Sequence, residues 1–318
     1  MRRILSIDGG GIRGIIPATI CAYLEQRLGC PLHQHFDLVS GTSTGAILAL
    51  GLTKENPMPA VDLVRLYQKE GGNIFTRSVW HKMYSFDGLG EEKYPSEGIE
   101  KVLEENLQNA RLKDCLTDVM VTSYCTERRK AIFYKSWKAR SNERQYDYAL
   151  KDIARASSAA PTYFEPKHLI RENGDEFSLI DGGVFANNPS MCAYVAAKKK
   201  FPDETRFQLV SLGTGKYQRR FFYKDIKDWG TITWIKPVLN IIMDGVNDTV
   251  DYQMRQLLPG ENENQQYFRF DIELSKGNDD MDDASEDNVQ ILKILAEEII
   301  EKQEEELDHL VQFCKSTY

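Results

Sequence analysis

A chain of 318 residues with 42% hydrophobic content is long enough for one large domain or two ordinary ones and can bury a substantial core. Its 48 acidic residues outnumber 40 basic ones, and a formal net charge of −8 removes the electrostatic case for a nucleic-acid polymer as principal ligand. No apolar stretch reaches the roughly 18 to 20 residues of a bilayer span, and the apolar run before Asp8 is too short for a signal peptide, so a soluble, cytoplasmic chain is expected.

In chain order, Arg3 to Ile7 reads as a buried strand, followed by a glycine turn and a helix over Ile15 to Leu28. A second strand over His35 to Ser40 runs into another Gly-rich turn and a helix over Ala46 to Leu52. Two βα units within fifty residues predict an α/β fold. Pro59 to Gly71 has helical spacing, whereas Ser78 to Tyr94 is aromatic and irregular. Helices are expected at Ser96 to Leu107, Tyr148 to Ser157 and Ala193 to Phe201. Strands are expected at Asp118 to Tyr124, Ala131 to Tyr134, Phe177 to Ile180 and Phe207 to Leu212.

After residue 215 the alternation weakens. The expected organisation is a catalytic core over 1–215 and an extension of the same domain over 216–318. The apolar stretch Trp229 to Val246 (Trp229, Ile232, Trp234, Ile235, Val238, Leu239, Ile241, Ile242, Met243) suits an acyl-chain lining or lid, but plain core is the expected reading. Asn288 to Cys314 reads as one long amphipathic helix. The acidic run before it suits the positive end of a helix dipole and lacks the alternation and central glycine of a calcium loop. The six cysteines (21, 30, 115, 125, 192, 314) are scattered, so reduced core thiols are expected, without disulfides or structural zinc.

Three glycine turns follow apolar strands: Asp8 to Gly14, Gly41 to Gly45, and Asp181-Gly182-Gly183. At the carboxyl ends of parallel strands such turns share one sheet edge, where ligands bind. The middle turn, Gly41-Thr42-Ser43-Thr44-Gly45, has the G-x-S-x-G pattern between strand and helix in which a nucleophile elbow forms; an ordinary turn with Ser43 or Thr44 capping the helix is the competing reading. Only His309 follows Asp181, inside the Glu-rich terminal helix, and His33, His35, His81 and His168 have no triad context, so no histidine base is expected.

Asp181 is the better base candidate, since burial raises a carboxylate toward a useful pKa, although an Asp-Gly pair is also an ordinary turn. Gly9, Gly10 and Gly11 would expose N–H groups to a tetrahedral oxyanion, and Arg13 would add charge or pair with a carboxylate. The same turn fits the dinucleotide pattern G-x-G-x-x-G, but Ser40 and Gly41 stand where that reading needs an acidic residue.

These turns, with their internal Arg13, resemble in order and content those of the patatin-like phospholipases. Ala156 to Phe164, Asn187-Asn188-Pro189, Ser211 to Gly215 and Met281 to Ser285 are similar as well, so the resemblance spans nearly the whole chain. It implies a three-layer α/β fold with a largely parallel sheet flanked by helices. It further implies a Ser43/Asp181 dyad with an oxyanion hole at Gly9 to Gly11, and hydrolysis of membrane phospholipid or another acyl lipid without metal or cofactor. Some bacterial members are anti-phage effectors switched on by a cyclic dinucleotide, an activator compatible with a stand-alone domain carrying long segments after residue 215. A catalytically silent lipid- or nucleotide-binding module is the competing function, and oligomeric state is left open. Arg219-Arg220-Phe221-Phe222-Tyr223-Lys224 mixes cations and aromatics as a membrane contact would, and a solvated loop with tucked aromatics is an equal alternative.

Overall fold

The computed structural model describes residues 1–74, 95–171, 174–216, 220–260, 266–275 and 280–316. The irregular stretch Ser78 to Tyr94 and Arg219 lie outside these residues. Its centre is one sheet of eight strands: β1 (Arg2–Ile7), β2 (Leu38–Gly41), β3 (Asp118–Cys125), β4 (Lys130–Lys135), β5 (Lys167–Ile170), β6 (Glu176–Asp181), β7 (Phe207–Leu212) and β8 (Tyr267–Phe270). The order runs β5-β6-β3-β2-β1-β7-β8, with β4 also on β3. The pairs β3–β2, β2–β1, β1–β7 and β7–β8 are parallel.

Parallel strands buried on both faces read as continuous apolar runs, and alternate residues here feed two cores. On one side Leu5, Ile7, Val39, Val121 and Val210 pack under α1 (Ile15–Leu28), α2 (Thr44–Thr53), α3 (Ala60–Ile74) and α4 (Glu97–Leu107). On the other, Ile4, Leu38, Met120 and Leu209 pack under α6 (Ser190–Lys200) and the distal half of α7 (Thr231–Leu257). The result is the expected three-layer sandwich, with α5 (Leu150–Ser157) beside β3 and β6.

Beyond residue 215 the structure departs from expectation. β8 extends the sheet on β7 and was not legible as a strand; nor, earlier in the chain, was β5, which pairs with β6. The terminal helix is two helices, α8 (Glu286–Lys302) and α9 (Glu304–Lys315), parted at Gln303, whose side-chain amide donates to the Arg269 carbonyl (3.4 Å). Ser285 caps α8 by accepting from the Asn288 N–H. The Trp229 to Val246 stretch is largely one helix but not core throughout: Val238, Ile241 and Ile242 are exposed, and Met243 lines a cavity.

Candidate active site

The serine turn is built under strain. β2 ends at Gly41, Ser43 sits at φ 55°, and α2 begins at the next residue. A non-glycine residue in this region costs on the order of 1–3 kcal/mol and persists only where its surroundings fix it. They do so here: the Ser43 N–H donates to Ser157 Oγ (2.9 Å), and Thr42 Oγ1 bonds to the Ala186 carbonyl (2.6 Å) and to Thr122 Oγ1 (2.7 Å). The flanking glycines are steric requirements, because a Cβ at Gly41 would collide with the Gly45 backbone and one at Gly45 with the Ile7 and Asp8 carbonyls.

Asp181 reaches the same edge by a route different from the expected one. β6 runs antiparallel to β3, pairing Asp181 with Ser123, whereas β2 runs parallel and pairs Gly41 with Val121. Because β4 occupies the other edge of β3 over Met120 to Cys125, β2 and β6 share one edge and meet end to end. Thr122 is the single rung between them, touching both seams: it bonds Thr42, and a Cβ on Gly182 would strike its side chain. Two opposed strand ends thus bring Ser43 and Asp181 into one cavity.

The Asp181 carboxylate is almost wholly buried and accepts the Gly183 N–H on Oδ1 (2.7 Å). Its Oδ2 accepts no hydrogen bond among the described residues, which leaves it open to the Ser43 hydroxyl. Burial pushes its pKa up to about 7, with the Gly183 N–H and the neighbouring Ser43 hydroxyl pulling back only part of the way.

The first glycine turn is clamped from three sides. The Gly9 N–H is already committed to the Asn187 carbonyl (3.0 Å), so among the three glycines Gly10 and Gly11 are the ones whose N–H groups have no acceptor among the described residues; both line the cavity. Gly11 has φ +60°, and a Cβ there would collide with the Met281 carbonyl, which accepts the Ile12 N–H (2.9 Å). Arg13 does not line the cavity. It braces the turn by donating to the carbonyls of Gly10 (3.3 Å) and Gly215 (3.4 Å). Thr214 Oγ1 fills the space beside Gly10 and donates to the Gly9 carbonyl (2.7 Å). Protein atoms therefore occupy the approach that a pyrophosphate would need, which weighs against the dinucleotide reading.

Beneath this turn lies an ionic group that sequence reading missed. Arg269 on β8 contacts Asp8 Oδ2 and Asp271 Oδ2, each at 2.7 Å, and donates to Ser211 Oγ (2.8 Å). Burial pushes the Asp8 carboxyl up to about 7 against the pull of Arg269. Asp271 in turn accepts the Gly215 N–H (3.0 Å), tying the first turn to the Gly213–Gly215 turn. The only sequence signal was a cation alternating with aromatics in Tyr267-Phe268-Arg269-Phe270.

The cavity is narrow, about 50 Å³, with walls that include Ile12, Ile47, Ile99, Phe164 and Met281. Ser158, buried and with a hydroxyl that has no hydrogen-bond partner among the described residues, also lines it. No histidine among the described residues does: His168 pairs with Glu176 (3.1 Å) on the surface, and burial lowers the pKa of both His33 and His35 elsewhere, while His81 lies outside the described residues. Among the described residues no cluster has the makings of a metal site, and no helix is long and apolar enough to cross a membrane.

A mostly parallel three-layer sandwich with a serine on a strained strand-to-helix turn, facing a buried aspartate across a glycine loop, defines a class of α/β acyl-hydrolase architecture. Residues 5–194 match the patatin-like phospholipase family, and the chain belongs to that family. It is similar to patatin-like protein 3 of Arabidopsis thaliana, at 31% identity over 94% of this chain and 80% of that protein. It is likewise similar to patatin-2-Kuras 3 of Solanum tuberosum, at 33% identity over 95% of this chain and 84% of that one. Among solved structures, VipD from Legionella pneumophila aligns with 92% of this chain and 67% of its own, at 14% identity and a TM-score of 0.44. At family level the chain is a lipid acyl hydrolase of the patatin-like phospholipase type.

Proposed function

We propose that the chain hydrolyses an acyl ester of a membrane lipid through a Ser43/Asp181 dyad. The observation that carries this reading is the pairing of a strained, buried serine with a carboxylate whose proton affinity is raised to about 7, in one apolar cavity. Asp181 takes the proton from Ser43 Oγ as the oxygen attacks the ester carbonyl. The N–H groups of Gly10 and Gly11 hold the oxyanion, where each such donor is typically worth ~3–4 kcal/mol of barrier. Asp181 returns the proton to the departing alcohol, leaving an acyl-serine. Water then attacks that ester as it gives a proton to Asp181; Asp181 passes this proton to the departing Ser43 Oγ, which frees the fatty acid and restores both residues. The apolar walls suit an acyl chain, and the Ser158 hydroxyl is placed to meet the polar part of the ester.

A panel of phospholipids, lysophospholipids and galactolipids, assayed for released fatty acid, tests this reading. Ser43→Ala is expected to lower hydrolysis by at least about 10³-fold, as for other serine nucleophiles; an unchanged rate in the folded variant contradicts the dyad. Running the panel with and without cyclic dinucleotides tests the activator that the family resemblance suggests. A rate that is high without nucleotide and unmoved by it removes that role.

A further inference from the structure

The chain must draw its substrate from a bilayer if the proposed lipid hydrolysis holds, and the proximal half of α7 is built to meet one. Its inner face carries Met243, which lines the cavity with Ser43, and Asn247, which accepts from Asn187 Nδ2 (3.2 Å); Val250 and Met254 continue that face into the core. At helical spacing on the opposite side stand Val238, Ile241 and Ile242, which are 40%, 43% and 42% exposed. None of the three lines the cavity. Trp234, one turn before Val238, stacks edge-on with Trp229 (5.1 Å), which meets Phe221 (5.4 Å). Phe222 and Tyr223 beside them are exposed.

We infer that this outer face of α7, with the Phe221–Trp229–Trp234 ring cluster, is a docking surface for an anionic lipid bilayer. Two observations select a bilayer as occupant. The apolar row sits on the helix whose Met243 lines the cavity, so docking it brings lipid to that side of the site. The local charge also differs from that of the chain: residues 220–236 carry Arg220, Lys224, Lys227 and Lys236 against Asp225 and Asp228, a balance of +2 in a protein of −8. Apolar side chains next to a segment of net positive charge are what an interface with anionic headgroups favours, and the aromatic rings suit the headgroup level.

The test is co-sedimentation of the full chain carrying Ser43→Ala with vesicles of phosphatidylcholine and phosphatidylglycerol in equal parts. Val238→Ser with Ile241→Ser and Ile242→Ser is expected to cut the bound fraction at least about tenfold. In the otherwise wild-type chain these three substitutions should leave the thermal midpoint and the hydrolysis of a soluble short-chain ester unchanged. Leu116→Ser is the control: it is equally exposed, but lies two residues before β3 at the opposite edge of the sheet, and should bind like the parent. Undiminished binding by the triple variant overturns the inference, as does a parent that fails to bind. A parent that is dimeric in solution, and that the triple variant renders monomeric with vesicle binding intact, assigns the face to a second copy instead. Failure of the dyad would appear separately, as hydrolysis surviving Ser43→Ala, and does not touch the binding readout.

Discussion

Asp181 pays for its position with a misplaced proton affinity, and this gives the dyad a pH signature. Burial holds its pKa near 7, whereas the ordinary value is 3.8. The base form fills only as pH passes 7, so kcat/KM is expected to rise with pH through an apparent pKa of about 7 and level off above it. The linkage sign follows: the folded state binds the proton more tightly than the unfolded state. The stability Asp181 contributes is therefore present below about pH 4 and lost as pH rises through 7. Asp181→Asn should accordingly be inactive yet melt higher than the parent at pH 8, with the difference shrinking toward pH 4. Melting curves across that range check it, and an equal offset at every pH would contradict a raised Asp181. The two residues of the proposed dyad could be singled out in the sequence, because glycine-flanked turns after apolar strands are a local signal. Thr122 was not, since its role as the rung between β2 and β6 depends on a strand reversal that no local pattern encodes.

At the scale of elements, most strands and longer helices of the first 215 residues were legible to within a few residues because each repeats one period, whereas the short β5 was not. The strand β8 was missed: four residues are too short for a period, and it pairs in parallel with a strand more than fifty residues earlier. Its consequence is Arg269, which draws Asp8 and Asp271 together under the first glycine turn. Removing that cation while leaving two buried carboxylates is expected to cost about 3–5 kcal/mol. Arg269→Met should show that loss in denaturant unfolding together with a fall in kcat, and Arg269→Lys, which keeps the charge but loses the fork, should recover part of both. Stability within error of the parent would mean that the ionic group does not hold the loop. Gln303 marks the other limit of periodicity, since one residue that turns its side chain to a carbonyl splits a continuous apolar pattern into α8 and α9.

For the molecule as a whole, the division at residue 215 describes sequence character more than structure. The later segment supplies a strand to the sheet, the Met281 carbonyl that accepts from Ile12 under the glycine turn, and the helix carrying Met243. These contributions were unreadable because each depends on a long-range partner, and the exposed row on α7 mimics core in composition while facing outward. What joins the levels is one edge of one sheet, where opposed strand ends, a clamped glycine loop and a returning C-terminal segment enclose a single apolar cavity. The most direct measurement is labelling of the folded chain with a fluorophosphonate followed by peptide mapping. The expected result is one adduct on Ser43, absent in Ser43→Ala and slowed in Asp181→Asn. A folded chain that hydrolyses lipid while Ser43 stays unlabelled, or that carries the adduct on another residue, would contradict the dyad.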